Sequence, residues 1–145
     1  MASPEDIRKL LQYRALRRGY LAKYLNTEAP QLVEIICPKG KYPALSDLER
    51  ALKAEEEIRL CIGLLVEMFG ESVFGDRLHG FLLIVFGFND AKVPNPKQRL
   101  TGPGKRVEAA ADHVGVSPRT AGKHRGFFIE HLALLLYQRL TRDGD

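Results

Sequence analysis

The side chains with most scope for chemistry lie close together, well toward the C-terminal end of the chain. Lys105 and Arg106 come first, followed by Ser117, Arg119, Thr120, Lys123 and Arg125. All are cations or hydroxyl donors, and none stands at catalytic spacing from a base or nucleophile. Their chemistry is recognition of anions and of paired acceptors. An arginine fork can donate twice to O6 and N7 of guanine, while lysine and hydroxyl groups suit phosphate oxygens. On a helix, Arg119 and Lys123 stand one turn apart, so both can reach one surface.

The other reactive residues carry less. His79, His113, His124 and His131 are scattered. His113 and His124 can approach each other across a turn, but no cluster of carboxylates accompanies them. Cys37 and Cys61 are the only cysteines, and no His or Cys sits at zinc spacing around either. They read as reduced, inert residues rather than as a disulfide framework. Nucleophile elbow, Walker loop and dinucleotide glycine pattern are all missing. Gly102-Pro103-Gly104-Lys105 is glycine-rich before a lysine but lacks the preceding strand and the spacing of a phosphate loop. The expectation is a protein without cofactor or metal, and not an enzyme.

Charge distribution favours the same segment. Residues 1–91 carry 12 basic and 13 acidic side chains, whereas residues 92–145 carry 10 basic and 5 acidic ones. The positive excess therefore lies wholly in the C-terminal part, where it would draw polyanions in a salt-dependent way. At 45% apolar and 28% charged, the composition is that of a soluble globular protein. The longest apolar stretch, Phe81 to Phe88, is too short to span a bilayer. The acidic start is neither a secretory signal nor a transit peptide. A cytoplasmic protein without a membrane partner is expected.

The elements that must position the basic residues are legible. Val107, Ala110, Ala111 and Val114 form one apolar face of a short helix. Gly115 stands where the helix must stop and turn. Val116 fills the angle, Ser117 can cap a second helix, and Pro118 suits its first turn. A short helix, a tight glycine turn and a second capped helix is the helix-turn-helix arrangement.

Ala110-Ala111-x-x-Val114-Gly115-Val116-Ser117-x-x-Thr120-Ala121 resembles the general bacterial helix-turn-helix pattern. Extended to His124 and Leu132, it is similar to LuxR-type and sigma-region-four-like units. It also resembles a helical module of actinobacterial proteins, in which a Lys/Arg-Arg-x-x-Ala-Ala stretch precedes a closing apolar helix. The resemblance covers about 35 residues, or about 65 if the segment from Asp76 belongs to it. It implies that the start of the second helix enters the major groove of double-stranded DNA. Arg119 would read guanine, Lys123 and Arg125 would contact phosphate or base, and Ser117 and Thr120 would donate to phosphate. Lys105 and Arg106 would flank the groove.

This sequence departs from that pattern in three places. Gly122 and Gly126 fall inside the second helix, each costing about 1 kcal/mol relative to alanine. Lys97 to Gly104 cannot form a regular preceding helix throughout. The last helix, from Phe127 to Leu140, is apolar beyond the needs of one core face, and the surplus points to a homodimer contact.

Upstream, Ser3-x-x-Asp6 and Ser46-x-x-Glu49 are capping boxes. A helix is expected from Ser3 to about Leu25, with Arg14, Arg17, Arg18 and Lys23 on its polar face. Leu32 to Cys37 reads as a short helix or a short strand. A long helix should follow Ser46, with Leu48, Leu52, Ile62, Leu65 and Phe69 as its apolar stripe, and should stop at a left-handed Gly70. The segment from Asp76 to Phe86 reads as the most buried helix, with a strand possible for Leu82 to Phe86. Asn89 to Gly104 is a linker by its prolines and glycines.

The fold expected is all-α, with five to seven helices. It comprises an N-terminal helical region over 1–91 and a basic helix-turn-helix region over 92–145, or one continuous domain of both. Two functions fit. One is a DNA-binding transcriptional regulator; the other is a helical protein-interaction adapter or assembly module without DNA binding.

Overall fold

A computed structural model describes residues 2–12, 18–88 and 103–143. Among these residues the chain is all-helical, with seven α-helices and no strand. They are α1 (Pro4–Gln12), α2 (Ala22–Glu28), α3 (Pro30–Ile36), α4 (Asp47–Phe69), α5 (Leu78–Val85), α6 (Pro103–Val114) and α7 (Pro118–Asp143), with a 3₁₀ turn at Gly75–Arg77 before α5. Leu32 to Cys37 thus falls on α3 and its cap and not on a strand, and Leu82 to Phe86 falls on α5 and its cap.

Both capping boxes form. The Asp6 N–H donates to Ser3 Oγ (3.2 Å) and the Ser3 N–H to Asp6 Oδ2 (3.0 Å). The Ser46–Glu49 pair repeats this at the head of α4. Each box satisfies two amides that have no partner inside the helix.

The long helices α4 and α7 pack on each other; α1 lies on α7, α2 and α3 lie on α4, and α5 packs against α6, which leans on α7. One apolar core runs through all of them, from Ile7 and Leu11 through Ile58, Ile62 and Leu65 to Phe128, Leu132 and Leu136. Residues on both sides of position 91 build this same core. Six of the eight α5 residues are buried, as an element apolar all round requires.

Three expectations need correction. The first helix does not run to Leu25: α1 ends at Gln12 and α2 starts at Ala22, while residues 13–17 lie outside the described residues. The break is made by a distant contact. Gly19 takes a positive φ of 103° and lies against Gly87, the Tyr20 N–H donates to the Phe86 carbonyl (2.9 Å), and the Tyr20 ring stacks on Phe86 at 5.1 Å. A docked stretch at Gly19–Leu21 takes the place of the helical turn that apolar spacing implied there.

The stripe on α4 is also different. Leu48 and Leu52 are exposed, and the buried face is Ala51, Ala54, Ile58, Cys61, Ile62 and Leu65. Small residues let α2 and α3 approach α4 closely, so the larger leucines are left outside.

Gly70 ends α4 but in a right-handed conformation, with φ −60°. The chain turns at Phe74 (φ 63°) and Gly75 (φ 56°) instead. An aromatic residue in the left-handed region costs roughly 1–2 kcal/mol. Ring contacts with Phe81 (4.9 Å) and His124 (4.7 Å) hold Phe74 there and tie the start of α5 to α7. Of the expected linker, residues 89–102 lie outside the described residues, and Pro103 and Gly104 already belong to α6.

Candidate nucleic-acid interface

The site is built from the end of α6, a three-residue turn and the first two turns of α7. Gly115 has a φ of 77°, and the Gly115 and Val116 N–H groups both donate to the Ala111 carbonyl (2.8 and 3.0 Å). That is a left-handed helix stop, which a side chain at position 115 would strain. Ala109, Ala110, Ala111 and Ala121 are fully buried, so the two helices meet through small residues. Val114 and Val116 pack against the core from the turn.

Ser117 caps α7. Its Oγ accepts from the Thr120 N–H (3.2 Å) and donates to Thr120 Oγ1 (3.0 Å). One of the two hydroxyl protons is therefore used inside the cap, which leaves the pair a single one.

Arg119 and Lys123 are exposed, one turn apart on α7. Gly122 and Gly126 share this side, and a Cβ built at either would meet no atom within 4 Å. The fold itself does not require glycine there. Lys105 is also exposed, paired with Glu108 at 3.5 Å.

Arg106 does not flank a groove. It is 2% exposed, and its Nε donates to the Val85 carbonyl at the end of α5 (3.0 Å). Burial pushes its guanidinium down to about 10, which leaves it charged at neutral pH. Its stem lies against Gly87, so it seals the Gly19–Gly87 crossing from the α6 side. Arg125 is half-buried, on the side of α7 away from Lys123 by helical geometry. Its Nε is buried without a hydrogen-bond partner. Its charge acts on Tyr20 and Arg106, which places it near that seam. Neither arginine is positioned to meet a ligand on the Arg119 face.

Arg77 adds a cation that the sequence did not single out. It is exposed in the 3₁₀ turn, and its Nη1 donates to the His113 carbonyl at the end of α6 (3.4 Å). A helix C-terminus attracts a cation. Arg77 belongs to the near-neutral part of the sequence, so charge distribution gave no signal for it. Three of the four histidines serve packing: His113 lies over Gly80, His124 against Phe74, and His131 against Phe69 and Phe127, while His79 is exposed.

Among the described residues no group of three or more His, Cys, Asp or Glu could hold a metal ion. Nor is any described helix long and apolar enough to cross a membrane. Cys37 and Cys61 are free and buried, and burial pushes the Cys61 thiol up to about 12. Comparison with protein-family models, with curated proteins and with solved structures gives no match.

Proposed function

We propose that this chain is a DNA-binding regulator that presents the start of α7 to the major groove. One observation carries this reading: Arg119 and Lys123 are both exposed, one turn apart, on a capped helix entered through a glycine turn. Thr120, Lys105 and Arg77 would contact phosphate around them. The open space at Gly122 and Gly126 would let a sugar-phosphate backbone come close to the helix.

The test is titration of labelled duplex DNA at several salt concentrations. Binding should weaken steeply as salt rises, because each phosphate contact releases a counterion. Lys123→Ala should lower the salt slope by about one, and Arg119→Ala should weaken binding by about 1–3 kcal/mol. Binding that is absent at low salt, or that ignores both substitutions, would remove this reading.

A second reading, an adapter that meets another protein, has its own observation. Met68 (55% exposed), Phe127 (38%) and Leu134 (42%) leave large apolar side chains in water. Phe127 touches Phe69 at 5.2 Å, so the ends of this surface on α4 and α7 are joined. A second copy of the chain is its simplest occupant, joined through this patch about a two-fold axis. Light scattering should then give a dimer that Phe127→Glu converts to a monomer. A monomeric wild-type chain at high concentration would refute the homodimer.

A further inference from the structure

The outward side of α4 carries a strip that the core does not use. Glu49, Leu52, Glu56, Leu60, Gly63 and Glu67 follow one another at steps of three or four residues, so they stand on one side of the helix, and all are exposed. Carboxylates and leucines alternate along its first half. Leu52 keeps 47% and Leu60 45% of its surface in water. By helical geometry the strip lies about a third of a turn from Met68, so it is separate from the apolar patch that Met68 forms with α7.

Gly63 sits between Leu60 and Glu67. A Cβ there would meet no atom within 4 Å, so nothing inside this protein requires glycine at that position. Glycine in a helix interior destabilises relative to alanine. What it permits is the close approach of another backbone.

The charges decide the partner. No cation stands on the strip. The two beside it are engaged: Arg59 pairs with Glu55 (3.0 Å) and covers the Phe88 ring (4.3 Å), and the Lys53 ammonium lies 5.4 Å from the centre of the Tyr42 ring. Glu49 accepts from the Ser46 N–H in the helix cap (3.0 Å). Among the described residues no cation pairs with Glu56 or Glu67. An acidic strip with interleaved leucines complements a helix that carries both cations and apolar residues on one side, and it repels an acidic one.

We propose that this strip docks a basic amphipathic helix of another protein, which lies along α4 and comes closest at Gly63. Its apolar residues meet Leu52 and Leu60, and its lysines or arginines meet Glu56 and Glu67. From Glu49 to Glu67 the strip is about 27 Å long, which a helix of about 18 residues matches. The inference does not rest on the DNA reading.

The test uses the full chain labelled with ¹⁵N. One probe is an amphipathic helical peptide of about 18 residues built from leucine, alanine and lysine; the other has glutamate in place of every lysine. The basic peptide should give saturable shifts centred on the amides of Leu52, Leu60, Gly63 and Glu67. The acidic peptide should bind about tenfold more weakly or worse, a loss of at least ~1.4 kcal/mol. Glu56→Gln/Glu67→Gln should weaken the basic peptide about tenfold. Gly63→Leu should weaken it several-fold while melting no lower than the wild type, because leucine is the better helix former. These exposed changes leave the fold intact, and unchanged amide spectra away from the strip check this. Equal binding of the two peptides, shifts centred elsewhere, no saturation in the millimolar range, or variants that bind like the wild type would overturn the proposal. Concentration-dependent shifts of the same amides in the chain alone would overturn it in favour of a second copy.

Discussion

Arg106 and Arg119 show how far two residues of one type can diverge within one basic segment. Sequence treats both as surface cations, because arginine is seldom buried. The structure leaves Arg119 in water and folds Arg106 under the end of α5, where it satisfies the Val85 carbonyl. Arg106→Ala should cost about 2–4 kcal/mol in chemical denaturation, from lost packing and a stranded carbonyl. Arg119→Ala should stay within about 0.5 kcal/mol; equal costs would show the placement to be wrong. A carboxylate supplies a pH test. The Ser46 N–H donates to Glu49 and holds its carboxyl below the ordinary value. A group depressed in the folded state stabilises above its unfolded pKa, and that contribution disappears as pH falls through the folded value. Denaturation midpoints should therefore drop from pH 7 to pH 3 more in the wild type than in Glu49→Gln.

At the scale of elements, local chemistry was legible wherever it decided the outcome. The boxes at Ser3 and Ser46, the stop at Gly115 and the cap at Ser117 need only neighbours within a few residues, and each forms. What failed to show was whatever a distant partner imposes. Apolar spacing ran on to Leu25, because nothing nearby announces that Gly19 will dock on Gly87. Leu48 and Leu52 looked like core, since only the approach of α2 and α3 favours alanines on that face. Of the seven expected contact residues, Lys105, Arg119, Thr120 and Lys123 face solvent at least in part without a fold-internal task that occupies their donors fully. Ser117 is absorbed into the cap, and Arg106 and Arg125 into the seam. The glycines of α7 allow a clean separation of fold from function. Alanine at Gly122 or Gly126 meets open space and should stabilise the protein by about 1 kcal/mol each. If DNA approaches that face closely, the same variants should bind it more weakly although they melt higher. Alanine at Gly80 has no such open space: its Cβ would lie 2.4 Å from His113 Nε2, so the imidazole must move.

For the whole molecule, the crossing of Gly19 and Gly87 is the joint between distant parts of the chain. A Cβ on Gly19 would stand 2.6 Å from the Gly87 carbonyl oxygen, backbone against backbone with nothing flexible to give way. Gly19→Ala should cost at least about 2 kcal/mol, read as a lowered denaturation midpoint with an unchanged slope. The joint also has a place in time. During synthesis the N-terminal helices leave the ribosome first, with half of their seat still unmade. Arg106, which closes over Gly87, and the α6 and α7 surfaces that cover α5 are translated later, at about 5–20 residues per second. Until then the most apolar of the described helices lacks the cover that α6 and α7 supply, and the nascent chain must be kept from its neighbours.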